Sequence, residues 1–147
     1  MAGPVRVVGL GGSLRAASTS RAALQAALEG AAGSGADTAL IWVRDLDLPL
    51  YSAERAIPAA AAQFAEAAYG CDAMIWSSPT YHGSVSGSFK NALDWLILLA
   101  ERDPPYLSNK PIRAGLHRGR AAAGSPACPV QRANWSRAAR VPRCSAP

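Results

Sequence analysis

Over the first 111 residues, short apolar runs alternate with stretches rich in alanine and leucine. Pro4-Val-Arg-Val-Val-Gly-Leu reads as a first strand, Ala36 to Val43 as a second with the polar pair Asp37 and Thr38 at its start, and Cys71 to Ser77 as a third, an apolar run bounded by turn residues that suits a strand buried on both faces. Thr19 to Ala32 consists largely of strong helix formers. Pro58 opens a second helical segment, Ala59 to Tyr69, which Gly70 closes. Beyond the third run, Phe89, Ala92, Leu93 and Leu96 recur at i, i+3, i+4 and i+7, with Ala100 following. This spacing predicts an amphipathic helix over residues 86–100, capped by Ser86 or Ser88, with a second apolar side at Trp95 and Leu98. Strand, helix, strand, helix, strand, helix with short connections predicts an α/β fold: a doubly wound parallel sheet with helices on both faces. Arg44 to Tyr51 reads as a loop half-buried over the sheet edge, and Asp45 and Asp47 read as solvated acids rather than a catalytic pair.

Ligands of such sheets bind at the carboxyl ends of the strands, near the point where strand order reverses. Two loops there carry ligand-type groups. Gly11 to Ser20 holds the hydroxyls of Ser13, Ser18, Thr19 and Ser20 and the planar fork of Arg15 beside a helix N-terminus, a donor set suited to phosphate. An ordinary surface turn is the competing reading. The dinucleotide fingerprint is not completed, because Leu14 stands where its third glycine belongs, and no Gly-Lys-Ser/Thr follows. The second loop, Pro79 to Gly87, combines glycine, serine and an aromatic, a composition that keeps backbone N–H groups accessible beside a ring and suits a flat polar ligand. Pro79 is expected to end the third strand.

Composition refines this picture. With 147 residues, half of them hydrophobic, the chain reads as one folded domain. It shows neither an apolar run of about 18 residues nor a basic-then-apolar N-terminus, so neither a membrane span nor a signal peptide is expected, and the cytoplasm is the expected compartment. Cys71, Cys128 and Cys144 lack metal-like spacing and read as free thiols, so no metal site is assigned. The net charge of +5 is unevenly placed. Residues 1–111 hold eight basic and ten acidic side chains, whereas residues 112–147 hold seven arginines and no acid. The body is therefore mildly acidic, and no nucleic-acid partner is assigned. The competing idea, a tail that grips nucleic acid with Trp135 as a stacking residue, has a single aromatic in a proline-broken segment behind it.

Gly12-Ser-Leu-Arg-Ala-Ala-Ser-Thr-Ser, Pro79-Thr-Tyr-His-Gly-Ser and Lys90-Asn-Ala-Leu-Asp-Trp give residues 1–111 a resemblance to the NAD(P)H-dependent FMN reductases, a family of flavodoxin-like proteins. The resemblance implies that Ser13, Arg15, Ser18 and Ser20 hold the FMN phosphate. It also implies that Pro79, Thr80, Tyr81, His82 and Gly83 line the isoalloxazine, largely through main-chain groups. The implied chemistry is hydride transfer from NAD(P)H to FMN and onward to free flavin, a quinone or a similar small-molecule acceptor. The cofactor performs that reaction, so no catalytic side chain is assigned, His82 included. A homodimer through the 86–100 helix is implied as well, with burial of Trp95 and Leu98 inside the same chain as an equal alternative. An FMN-bearing electron carrier and an inactive truncated product are the other readings.

The family pattern departs after Asn109-Lys-Pro-Ile. A fourth strand should continue with apolar residues, but Arg113-Ala-Gly-Leu-His-Arg-Gly-Arg breaks the run, and residues 112–147 read as an irregular tail rich in arginine, alanine and proline. The sheet is thus expected to be truncated after its third or fourth strand. Shifted by one nucleotide, codons compatible with Arg113 to Arg120 spell Ala-Leu-Val-Ser-Thr-Ala-Gly-Gly, and those from Gly124 to Pro126 spell Gly-Leu-Gln. A frame slip near Ile112 is the expectation, and the gene's nucleotides at that point decide it.

Overall fold

A computed structural model describes residues 3–118. The expectations for the tail beyond Arg118, including those for Cys128, Trp135 and Cys144, lie outside the described residues.

β1 (Arg6–Gly11) runs parallel to β2 (Asp37–Trp42) on one side and to β3 (Ala73–Tyr81) on the other, with Val8 opposite both Ala39 and Met74. Alternation along β1 serves two layers. Val7 packs with Leu24 and Leu28 of α1 (Thr19–Gly33) on one face. Val8 and Leu10, with Met74 and Trp76 of β3, pack on the opposite face against Phe64, Ala65 and Ala68 of α3 (Ala59–Gly70). The first two predicted helices form close to their expected bounds, apart from Pro58, which caps α3 instead of entering its first turn. A short helix, α2 (Val43–Leu46), follows β2.

Two strand expectations need correction. β3 does not end at Pro79 but continues to Tyr81. Ser77 accepts the Gly12 N–H at 2.8 Å, so its polar groups face β1. Pro79, two residues on, turns its nitrogen to the same side, where β1 has already ended, and its missing N–H costs no bond to that strand. The irregular tail expected from residue 112 begins instead with β5 (Ile112–Arg118), which pairs in parallel with β3 from Met74↔Ile112 to Thr80↔Arg118. A fully buried strand needs a continuous apolar run, and among the described residues β5 is an edge strand. Ile112 and Ala114 pack against the core while Arg113 points outward, and the arginine that breaks the run falls on the solvent side. Leu116 remains 46% exposed. The parallel order among the described residues is β2-β1-β3-β5.

The predicted 86–100 helix is two pieces, α4 (Gly87–Asp94) and a 3₁₀ turn over Trp95–Leu99. Ser86 is its cap, accepting the Phe89 N–H. Trp95 is 1% exposed, and the same chain covers it: its Nε1 donates to the Pro49 carbonyl at 3.0 Å, and Tyr51 meets it edge-on with ring centroids 5.2 Å apart. Asn91 completes this clasp, donating to the Pro49 carbonyl and accepting the Tyr51 N–H at 2.8 Å. Of the two origins open for the burial of Trp95, the intrachain one holds. Ile97 beside it stays 43% exposed.

Cys71 is buried, its thiol donating to the Ala68 carbonyl, and burial pushes the thiol pKa up. Burial lowers the pKa of His117 in β5 from its ordinary value. A base depressed in the folded state is neutral in both states at high pH, while at low pH the unfolded chain takes up more proton. Stability is therefore expected to fall as pH drops below about 6.5, and His117→Gln should flatten that loss. Urea midpoints of the two chains between about pH 8 and about pH 5 check this; parallel curves would contradict it. No helix among the described residues is long and apolar enough to cross a membrane, and no group of three or more His, Cys, Asp and Glu residues among them is placed to hold a metal ion.

Candidate functional site

The two ligand-type loops leave adjacent strands at the same level of the sheet, since Gly11 pairs with Ser77. In the first loop Ser13 is 1% exposed, and its Oγ accepts the Arg15 N–H at 3.1 Å. Ser18 caps α1 by accepting the Arg21 N–H at 3.1 Å, and its hydroxyl lies 3.1 Å from that of buried Ser20. The first turn of α1 carries no acid, so its N–H groups and positive dipole end face no competing carboxylate there. Arg15 is exposed and makes no ion pair among the described residues. Arg21 donates to the Ala16 carbonyl and stacks over the Trp42 ring, 4.6 Å from its centroid, which braces the loop from below.

The second loop is a hairpin. Thr80 pairs with Val85 and Tyr81 with Ser84, the latter two forming β4 (Ser84–Val85), and the turn residues His82 and Gly83 have φ of 51° and 82°. Two successive positive φ values give the tight two-residue turn that follows strand twist. Histidine tolerates this region better than most side chains, and glycine occupies it without strain. Pro79 is buried and Thr80 half-buried, while Tyr81, 51% exposed, projects with His82 and Gly83 at the tip. The tip thus offers main-chain groups and one ring edge.

The seam joining these loops is built from serine. Ser13, Ser20, Ser77, Ser78 and Ser86 are the buried polar residues among those described. Ser77 Oγ donates to the Ser20 carbonyl at 2.7 Å. Ser86 Oγ and Ser88 Oγ both donate to the Gly12 carbonyl, at 2.6 and 3.0 Å. Ser78 Oγ accepts the Ser86 N–H at 3.1 Å and donates to the Pro79 carbonyl. At Gly12 a Cβ would lie 2.6 Å from the Phe89 ring, so only glycine lets α4 come this close. The structure gathers Ser13, Arg15, Ser18 and Ser20 into one loop, folds Pro79, Thr80, Tyr81, His82 and Gly83 into the other, and ties the two together at Gly12. The sequence marked Ser86 and Ser88 only as capping candidates and left Arg21 and Ser77 out. Their signal is an excess of serine where apolar strands and helices meet, too general to assign partners.

This arrangement has counterparts. The profile of a family described as NADPH-dependent FMN reductase matches residues 5–141, past the point where the strand pattern departs. An NAD(P)H-dependent FMN reductase of Pseudomonas aeruginosa is 35% identical over 115 residues, covering 76% of this chain and 58% of that protein. An NADPH:quinone oxidoreductase of Arabidopsis thaliana is 32% identical over 111 residues, covering 73% of this chain and 55% of its own length. The chain thus spans little more than half the length of these relatives. Among solved structures, an NADH:FMN oxidoreductase in its apo form superposes with a TM-score of 0.64 at 24% identity, covering 80% of this chain and 60% of that one. An NAD(P)H:quinone oxidoreductase from Methanothermobacter marburgensis gives 0.64 at 15% identity, covering 79% and 68%. Those two likenesses concern the fold, which is flavodoxin-like. With loop, hairpin and sheet in this order and the family profile running along most of its length, the chain belongs to the NADPH-dependent FMN reductase family.

Proposed function

We propose that the chain binds FMN across the two loops and passes reducing equivalents from NAD(P)H to a small-molecule acceptor, a quinone or a free flavin. The observation that carries this reading is the joining of an anion-suited loop to a main-chain hairpin at Gly12. The residues fit the cofactor: the donor set of Ser13, Arg15, Ser18 and Ser20 stands where a phosphate needs it, beside a helix start without acids. Pro79, Thr80, Tyr81, His82 and Gly83 would line the ring, largely with main-chain N–H and C=O groups, which do not titrate. FMN held by these residues would supply the two-electron chemistry between NAD(P)H and the acceptor. The chain's part is to bind and orient, and no acid–base side chain is assigned. Both acceptor types follow the named activities of the relatives.

A homodimer through residues 86–100 belongs to this reading in reduced form. Trp95 is taken by its own chain, which leaves Ile97 and half-buried Leu98 as the contact. Sedimentation of a pure monomer at micromolar concentration would remove it. A cytoplasmic setting accords with the buried free thiol of Cys71.

Purified chain is expected to be yellow, or to take up added FMN, and then to oxidise NAD(P)H when a quinone is supplied. A colourless chain that ignores FMN would overturn the reading. Within it, Arg15→Ala should weaken FMN binding by roughly 1.5–3 kcal/mol, the worth of a hydrogen bond to a charged group. Unchanged affinity in a fluorescence titration would remove Arg15 from the site.

A further inference from the structure

We propose that Ser88 is a positioning residue of the phosphate loop: through the Gly12 carbonyl it sets the Gly12–Ser13 peptide so that the Ser13 N–H is turned into the loop, and it thereby favours FMN over riboflavin. This rests on the FMN reading above.

The peptide plane carries the argument. The Gly12–Ser13 bond is trans, because the cis peptide among the described residues is Asp103–Pro104. In a trans peptide the C=O and the next N–H point in opposite directions. Ser88 and Ser86 hold the Gly12 oxygen toward the start of α4, so the Ser13 N–H is held away from α4. Among the described residues no acceptor takes that N–H. Glycine permits a peptide flip more readily than other residues, so without the two hydroxyls Gly12 would leave this donor unfixed.

Ser86 and Ser88 divide the work unequally. Ser86 Oγ also caps α4 by accepting the Phe89 N–H, so its removal disturbs the helix start as well. The Ser88 hydroxyl has a single proton, which goes to the Gly12 carbonyl, and it caps no helix N–H. Serine is less favourable than alanine inside a helix, and here its hydroxyl is engaged by the Gly12 carbonyl. Its presence at this position is explained by the Gly12 carbonyl.

The test compares FMN and riboflavin, which differ in the phosphate, by fluorescence titration of wild type, Ser88→Ala and Ser88→Thr. Ser88→Ala is expected to bind FMN about three- to tenfold more weakly, the equivalent of one hydrogen bond, with riboflavin affinity unchanged. Ser88→Thr, which keeps the hydroxyl, is expected to restore FMN affinity. Equal losses for both flavins would make Ser88 merely structural, and an unchanged FMN-to-riboflavin ratio with wild type binding FMN would overturn the assignment alone. A wild-type chain that binds neither flavin would overturn the FMN reading and this assignment together. Far-ultraviolet circular dichroism confirms that each variant is folded before titration.

Discussion

Trp95→Ala is expected to cost about 3–5 kcal/mol of stability, the range for removing a large buried aromatic. The indole is 1% exposed where α4 tightens into its 3₁₀ turn. It fills the space between that turn and the Pro49–Tyr51 segment, meeting the Tyr51 ring at 88°. The Pro49 carbonyl would keep one partner, because Asn91 Nδ2 also donates to it at 3.0 Å. The loss is therefore mainly the cavity and the edge-on ring contact, with little from an unpaired acceptor. Trp95→Phe, which retains most of the volume and gives up the indole N–H, should cost about 1–2 kcal/mol. Denaturant midpoints of the three chains rank these outcomes. An alanine variant with the wild-type midpoint would show that the clasp does not hold this side of the sheet.

Gly12→Ala is expected to damage stability and flavin binding together. The added Cβ would meet the Phe89 ring at 2.6 Å and Phe89 Cβ at 2.8 Å. A ring rotation relieves the first contact but not the second, because Cβ moves only with the backbone of α4. Overpacking of this kind costs about 1–3 kcal/mol. Relief requires α4 to move off the loop, which lengthens both serine bonds to the Gly12 carbonyl. FMN affinity should consequently fall on the order of tenfold or more, since 1.4 kcal/mol is a factor of ten. Titration with FMN reads the second effect and urea denaturation the first. An alanine variant with unchanged FMN affinity would separate the seam from the binding site.

Much of the fold is written locally. β1, β2, α1 and α3 follow from apolar runs and helical spacing, and their bounds lie within a few residues of those read from the chain. What escapes local reading depends on neighbours. Whether Pro79 ends a strand is decided by where β1 stops, and β1 lies some seventy residues earlier, its end fixed by the Gly12–Ser77 bond. β5 is hard to see because its residues switch between half-buried and exposed, where a central strand would be continuously apolar. The cover over Trp95 comes from Pro49, 46 residues away. At the site, the kinds of group are legible and their pairing is not. Glycine, serine and arginine mark a phosphate loop, whereas the two hydroxyls on one carbonyl depend on strand register and on the angle at which α4 arrives.

Ser88 and Gly12 stand 76 residues apart along the chain. Everything between them, from α1 through the hairpin, is closed by the β1–β3 pairing and, just past the end of β1, by this small cluster of hydroxyls, and closing a span of that length is costly in chain entropy. A molecule that grips both loops can do so only once this closure is made. Its binding is therefore coupled to the integrity of the enclosed body, which at a hundred times the dissociation constant gains about 2.7 kcal/mol. A flavin-induced rise in melting temperature would then report the folding of the segment from Gly12 to Ser88, well beyond the few residues the ligand touches.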